Sequence, residues 1–145
     1  METIIDISRS TSNLHENVIF QDVANIIIDT VNSFSSQKKE AIIHFKGCEF
    51  KFGFKIGLNV YTNQFKSIEL IFEDCIISNN DDNEQIIQPK EQIKVSIKIL
   101  NSIIDSLRLS NCKLDSLLTS RTIFTNRLII NKCESYIQLI NATFG

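Results

Sequence analysis

The fold is decided by the run Ile99-Leu100-Asn101-Ser102-Ile103-Ile104-Asp105-Ser106-Leu107-Arg108-Leu109-Ser110-Asn111-Cys112-Lys113-Leu114 and its continuation to Gly145. Taken every tenth residue from 101, it places Asn101, Asn111, Arg121, Asn131 and Asn141 in one column. The next column holds Ser102, Cys112, Thr122, Lys132 and Ala142, four of them small. The ten-residue unit halves into fives. A central column, Ile99, Ile104, Leu109, Leu114, Thr119, Phe124, Ile129, Glu134, Leu139 and Phe144, is mostly large and apolar. A second column stands two residues earlier in each unit, and large and small side chains alternate along its first six members, Ile97, Ser102, Leu107, Cys112, Leu117 and Thr122.

A period of five is neither the 3.6 of a helix nor the 2 of a simple strand. It fits a chain that turns a corner every five residues. Residues two apart on an extended segment point to the same side, so the central side chain and its partner would both face inward. Four faces would close a coil of about 20 residues, and stacked coils would share one core. The same register runs through Phe45, Phe50, Lys55, Val60, Phe65 and Leu70. The polar stretch Ser78-Asn79-Asn80-Asp81-Asp82-Asn83-Glu84, running on to Pro89, breaks it, and Val95 restarts it. This reads as an inter-coil loop over 78–94.

Residues 1–40 differ from the rest. Val23, Ile26, Ile27, Val31 and Phe34 recur at helical spacing behind Asp22, a suitable N-cap. The spacing predicts a helix over 22–37 within an N-terminal capping segment 1–40, ahead of a solenoid over 41–145. The rival reading is an irregular first coil with Val18, Phe20, Ile26 and Ile28 on strands. Two rivals to the four-sided coil also stand. Phe50 to Val60 alternates as one long half-buried strand would, which an ordinary β-sandwich would explain. Cys48, Cys75 and Ser102 lie 27 apart, as in a wider, three-sided β-helix.

Cys112-Lys113-Leu114-Asp115-Ser116, Ser102-Ile103-Ile104-Asp105-Ser106, Thr122-Ile123-Phe124-Thr125-Asn126 and Asn141-Ala142-Thr143-Phe144-Gly145 resemble the pentapeptide-repeat proteins. The resemblance covers about 43–77 and 95–145. It implies an all-β fold, a right-handed quadrilateral β-helix. Lys55, Thr119 and Glu134 depart from the centre of the pattern, and Arg127 and Lys132 from its partner position. Some members of that family bind DNA gyrase or topoisomerase IV by imitating a DNA duplex, which makes such binding an alternative here.

The chemistry-bearing residues are sparse. Cys48, Cys75, Cys112 and Cys133 form no C-x-x-C pair, and His15 and His44 are the only histidines, so no zinc ligand set is spaced for binding. The cysteines read as buried thiols used as small core residues. Paired carboxylates occur at Glu73-Asp74 and Asp81-Asp82, but adjacent strand residues face opposite ways, and the 79–84 run lacks the alternate spacing of a calcium loop. There is no phosphate-binding glycine loop and no nucleophile motif. We therefore expect no enzyme, no catalytic residue, no metal and no cofactor.

The net charge of −2 argues against a polycation for nucleic acid. Seven acids against one base lie between Glu69 and Glu91, and seven bases against three acids follow from Ile93. A duplex mimic needs an acidic stripe, and the basic C-terminal half opposes one. The expected function is a protein-interaction or scaffolding module that presents a solenoid face and an acidic loop to a protein partner. Asp81, Asp82 and Glu84 are the candidate contact residues. A carbohydrate-active β-helix enzyme fragment is the third reading. Gly145 stops within a repeat, so self-association through the C-terminal coil is a further expectation. Met1-Glu2-Thr3 opens no basic, apolar leader and no aliphatic run approaches the roughly 20 residues of a membrane span, so a cytoplasmic location is expected, with a bacterial flavour in the Ile, Asn and Lys usage.

Overall fold

The computed structural model describes residues 2–6, 12–28, 39–58, 65–78, 94–110, 113–131 and 134–144. Among them every regular element is a β-strand and every strand pair is parallel. The strands in chain order are β1 (Glu2–Asp6), β2 (Ser12–Glu16), β3 (Ile19–Phe20), β4 (Val23–Ile28), β5 (Lys39–Lys46), β6 (Glu49–Phe50), β7 (Phe54–Leu58) and β8 (Phe65–Glu73). They continue as β9 (Ile76–Ile77), β10 (Lys94–Leu100), β11 (Ile103–Ser110), β12 (Lys113–Ser120), β13 (Ile123–Asn131), β14 (Glu134–Ile140) and β15 (Thr143–Phe144).

Three sheets take β1 to β9 in rotation, and from β10 onward the strands alternate between the second and the third. The first is β1-β4-β7, the second β14-β12-β10-β8-β5-β2, and the third β15-β13-β11-β9-β6-β3. Each strand pairs with its counterpart one repeat away, not with its chain neighbour, an arrangement that fits a parallel β-helix. Parallel pairing needs a crossover, and here the crossover is itself made of strands on the other sheets.

The registers correct the expected uniform coil. Glu2 pairs with Val23, a step close to the expected coil, but Ser12 pairs with Ile42, Ile19 with Glu49 and Ala24 with Phe54, steps half as long again. Ile43 pairs with Leu70, and Leu70 in turn with Ile97, steps only slightly shorter. The expected length returns from β10 onward, with Ile97 on Leu117 and Ile103 on Ile123. The longer spacing was present in Cys48, Cys75 and Ser102, which occupy equivalent places in successive repeats.

The N-terminal reading is corrected too. The helix expected over 22–37 is not formed in its described part, because Val23–Ile28 is β4, paired on both sides by β1 and β7. Ala24 and Ile26 are buried at alternate positions, the period of a strand. The helical spacing of Val23, Ile26 and Ile27 arises because the strand ends in three isoleucines. β2, β3 and β4 extend the same sheets as β5, β6 and β7, so the stack begins well before residue 41. Residues 29–38, with the rest of the expected helix, and loop residues 79–93 lie outside the described residues.

The inward columns form one continuous core. On the second sheet, Ile43, Leu70, Ile97 and Leu117 are buried in register, as are Phe45, Phe72, Ile99 and Thr119. On the third, Phe50, Ile77, Ile104 and Phe124 follow suit. The five-residue pattern locates most of these but slips at two places. Lys55 sits between buried Phe54 and Ile56 on β7, so it faces away from them. The register of β13 shifts by one after Phe124, and Leu128 and Ile130 pack against the core in place of Ile129.

Candidate functional site

The most regular local structure is the corner between the second and third sheets. Asn17, Gly47, Asp74, Asn101, Arg121 and Asn141 stand at this corner in successive repeats, and all have positive φ, from 49° to 64°. A left-handed residue turns the chain sharply, and Asn, Asp and Gly tolerate it best. This accounts for the asparagine column at 101 and 141; Asn131 ends β13 and Asn111 lies outside the described residues. Five corner N–H groups donate along the stack: Asn17 to Lys46 O (2.9 Å), Gly47 to Glu73 O (2.9 Å), Asp74 to Leu100 O (3.0 Å), Asn101 to Ser120 O (2.9 Å) and Arg121 to Ile140 O (3.0 Å). The ladder therefore runs through the bend without a break there.

The residue after each corner turns inward: Val18, Cys48, Cys75, Ser102, Thr122 and Ala142. The space is small and lined by carbonyls, which suits a short side chain that can donate. Ser102 Oγ donates to Leu100 O at 2.8 Å and accepts from Cys75 N at 3.1 Å. Thr122 Oγ1 lies 3.1 Å from both Ser120 O and Ile99 O. Cys75 Sγ lies 3.3 Å from Phe45 O and Glu73 O, and Cys48 Sγ 3.3 Å from His15 O. Both cysteines are free and buried. Burial pushes the Cys75 thiol up to about 11, so at neutral pH it is protonated and a poor nucleophile. The thiols are structural donors at a bend. Cys112 and Cys133 lie outside the described residues.

Neither the His15 nor the His44 ring is paired with the thiol of Cys48 or Cys75, the two cysteines among the described residues. His15 stacks on Phe45 with ring centroids 5.0 Å apart, and burial holds its pKa below the usual histidine value. His44 faces Glu73 on the neighbouring strand at 3.6 Å, too long for a hydrogen bond. Among the described residues no group of three or more His, Cys, Asp or Glu side chains could hold a metal ion. Asp81, Asp82 and Glu84 fall in the segment linking β9 to β10, outside the described residues.

What the fold does present is its outward columns. On the third sheet, Ile19, Glu49, Ile76, Ile103, Ile123 and Thr143 stand in one register. The four isoleucines are 41–53% exposed. On the second sheet the outward residues mix charge and aliphatic surface. Lys98 Nζ pairs with Glu69 Oε1 at 2.8 Å, Glu16, Lys46 and Glu73 alternate in sign along one column, and Leu14 and Ile42 are exposed nearby. Side chains along such a column repeat at the strand spacing of about 4.8 Å, which makes a flat, ruled surface. The isoleucine column was not singled out from sequence. Its signal was an apolar residue directly before the inward one at 19–20, 76–77, 103–104 and 123–124, visible only once the longer spacing of Cys48 and Cys75 is allowed.

No protein-family model, curated protein or solved structure matches the chain. Among the described residues no helix is long and apolar enough to cross a membrane.

Proposed function

We propose that this protein is a non-enzymatic binding module whose parallel β-sheets form a closed, right-handed solenoid, and that a protein partner docks on its outward face. Parallel crossover connections are right-handed in about 98% of cases, which supports that handedness. The carrying observation is the exposed Ile19, Ile76, Ile103 and Ile123 column. Both faces of parallel sheets are usually covered by other elements. Here the inward face has the core, and the outward face keeps a row of aliphatic side chains in water. The acids Glu16 and Glu49 and the loop acids Asp81, Asp82 and Glu84 would orient a partner carrying basic residues. The alternation of Glu16, Lys46 and Glu73 disfavours a duplex mimic, since a phosphate backbone repeats one sign only. The likeness to pentapeptide repeats bears on the short repeats from Lys94 onward.

Affinity capture with the full chain and with an Ile76→Lys, Ile103→Lys variant tests this reading. One stoichiometric protein should be retained by the parent chain and lost by the variant, with unchanged circular dichroism. A partner held equally by both would contradict the outward-face assignment. Loss confined to a chain lacking 80–90 would move the surface to the loop.

A further inference from the structure

The outward face of the third sheet carries three columns through β6, β9, β11 and β13. The middle column is Glu49, Ile76, Ile103 and Ile123. Two residues earlier, at the corner, stand Gly47, Asp74, Asn101 and Arg121, all exposed. Two residues later stand Lys51, Ser78, Asp105 and Thr125. This last column is stacked as well. Lys51 N donates to Phe20 O at 3.2 Å, Ser78 N to Phe50 O at 2.9 Å, and Thr125 Oγ1 to Asp105 Oδ1 at 3.1 Å. Neither Glu49 nor Arg121 forms an ion pair with another described residue.

An occupant of this face has to keep step with it. The columns repeat at the strand spacing of about 4.8 Å, whereas same-side residues of a strand laid down the stack recur at about 6.6 Å and the turns of a helix at about 5.4 Å. A second β-sheet, its strands lying along these, matches the spacing level for level. This face is itself such a sheet, and its charges are arranged to meet their own copy.

We propose that the partner of the isoleucine face is a second copy of this chain, packed face to face about a twofold axis that runs along the strands between the levels of Ile76 and Ile103. This rests on the outward-face reading above and names its occupant. Ile76 then meets Ile103 of the second copy, and Ile103 meets Ile76. Asp74 faces the Asn101 amide, Asp105 faces the Ser78 hydroxyl, and Lys51 faces Thr125. Arg121 passes over Gly47, which has no side chain to block it, and reaches the neighbouring Glu49. The axis through the level of Ile76 would bring Lys51 to Asp105 but set Asp74 on its own copy. The axis through the level of Ile103 would bring Asp74 to Arg121 but set Asp105 on its own copy. An axis along the stack would set Glu49 on its own copy. Like charges brought together across an interface oppose association, so the axis between the two levels is favoured, joining opposite charges with no like pair.

Sedimentation equilibrium of the full chain should show a monomer–dimer equilibrium. Each dimer holds the Glu49–Arg121 contact twice, so Arg121→Glu should raise the dissociation constant at least about tenfold, and Glu49→Arg likewise. An equimolar mixture of the two variants should associate about as tightly as the parent, because in the mixed dimer opposite charges meet at both contacts. Should either reversal fail to fold, Ile103→Lys, at an exposed position, should abolish the dimer by itself. A chain monomeric at every concentration, a dimer indifferent to Ile103→Lys, or a mixture no tighter than either reversal alone overturns the proposal. A monomeric chain whose capture of a different protein is lost with Ile76→Lys, Ile103→Lys overturns the second copy as occupant and leaves the outward-face reading standing.

Discussion

The stack has two regions that solve the same packing problem with different materials. From β2 to β9 the repeat is long, Ser12 pairing with Ile42 and Ile43 with Leu70, and the core is aromatic. Phe20 stacks on Phe50 at 4.8 Å, Phe45 on Phe72 at 5.2 Å, and Phe54 on Phe72 at 4.7 Å, with edge contacts from Phe50 to Phe45 and Phe72. From β10 onward the repeat is short, Ile97 pairing with Leu117. The buried apolar side chains there are Val95, Ile97, Ile99, Ile104, Leu107, Leu109, Leu114 and Leu117, with Phe124 the one buried aromatic among the described residues. A single register column records the change: Phe45, Phe72, Ile99, Thr119. The long repeats carry strands on three sheets and the short ones on two; interiors pack to nearly constant density, so a core bordered by three sheets takes larger side chains. The difference teaches that repeat length and side-chain volume are set together in this chain.

The largest way to break the comparison is to empty the wide region. Phe45→Ala removes a ring in contact with Phe20, Phe50, Phe72 and His15, and should cost about 3–5 kcal/mol in urea unfolding. Overfilling the narrow region tests the same idea from the other side. Ile99→Phe places there the ring that the column carries at Phe72, and should cost about 1–3 kcal/mol by strain. If Ile99→Phe were neutral, repeat length and side-chain volume would be independent.

A smaller effect is expected at Thr119, which is fully buried with Oγ1 unpartnered among the described residues. Thr119→Val keeps the shape and removes a stranded hydroxyl, so it should stabilise by about 1 kcal/mol. At the corner, Arg121 adopts φ 51° where neighbouring repeats use Asn101 and Asn141. Arg121→Asn should stabilise by a few tenths to about 1 kcal/mol, read as a rise in Tm. Gly47 cannot be treated the same way, since a Cβ there would meet Asn17 Oδ1 at 2.5 Å.

Two titrating groups give the wide region a signature in pH. His15 has its pKa lowered by burial from 6.5. Below the unfolded value the unfolded chain binds more protons, so stability should fall as pH drops through and below about 6.5. His15→Phe should abolish that dependence. Cys75 is raised to about 11 from 9.0, so stability should fall again as pH rises from about 9 towards 11. An acid limb near pH 6 that survived His15→Phe would place the responsible group elsewhere.

Much of the inward core was legible because strand alternation and a corner every few residues leave a visible pattern in Ile99, Ile104, Leu109, Leu114 and Phe124. The small column was legible in Cys48, Cys75, Ser102 and Thr122 because the bend has room for little else. The repeat length was misread where the five-residue pattern was forced across β7. Gly53 and Lys55 there belong to a wider repeat, with Phe54 and Ile56 inward. β4 was misread because Ala24, its other inward residue, carries too little hydrophobic signal to reveal a period of two beside Ile26, Ile27 and Ile28. The candidate site was the least legible part. An exposed isoleucine differs from a buried one only by register, and register follows from pairings between strands as distant in the chain as β3 and β6.

The most direct test of the two-region account is the register itself, read from amide and α-proton contacts by NMR. The account predicts parallel contacts of Ile43 with Leu70 and of Ile97 with Leu117 in the same sheet, the long step and the short one. Contacts of Ile43 with the neighbourhood of Asn63, or antiparallel α-proton pairs in either region, would contradict it.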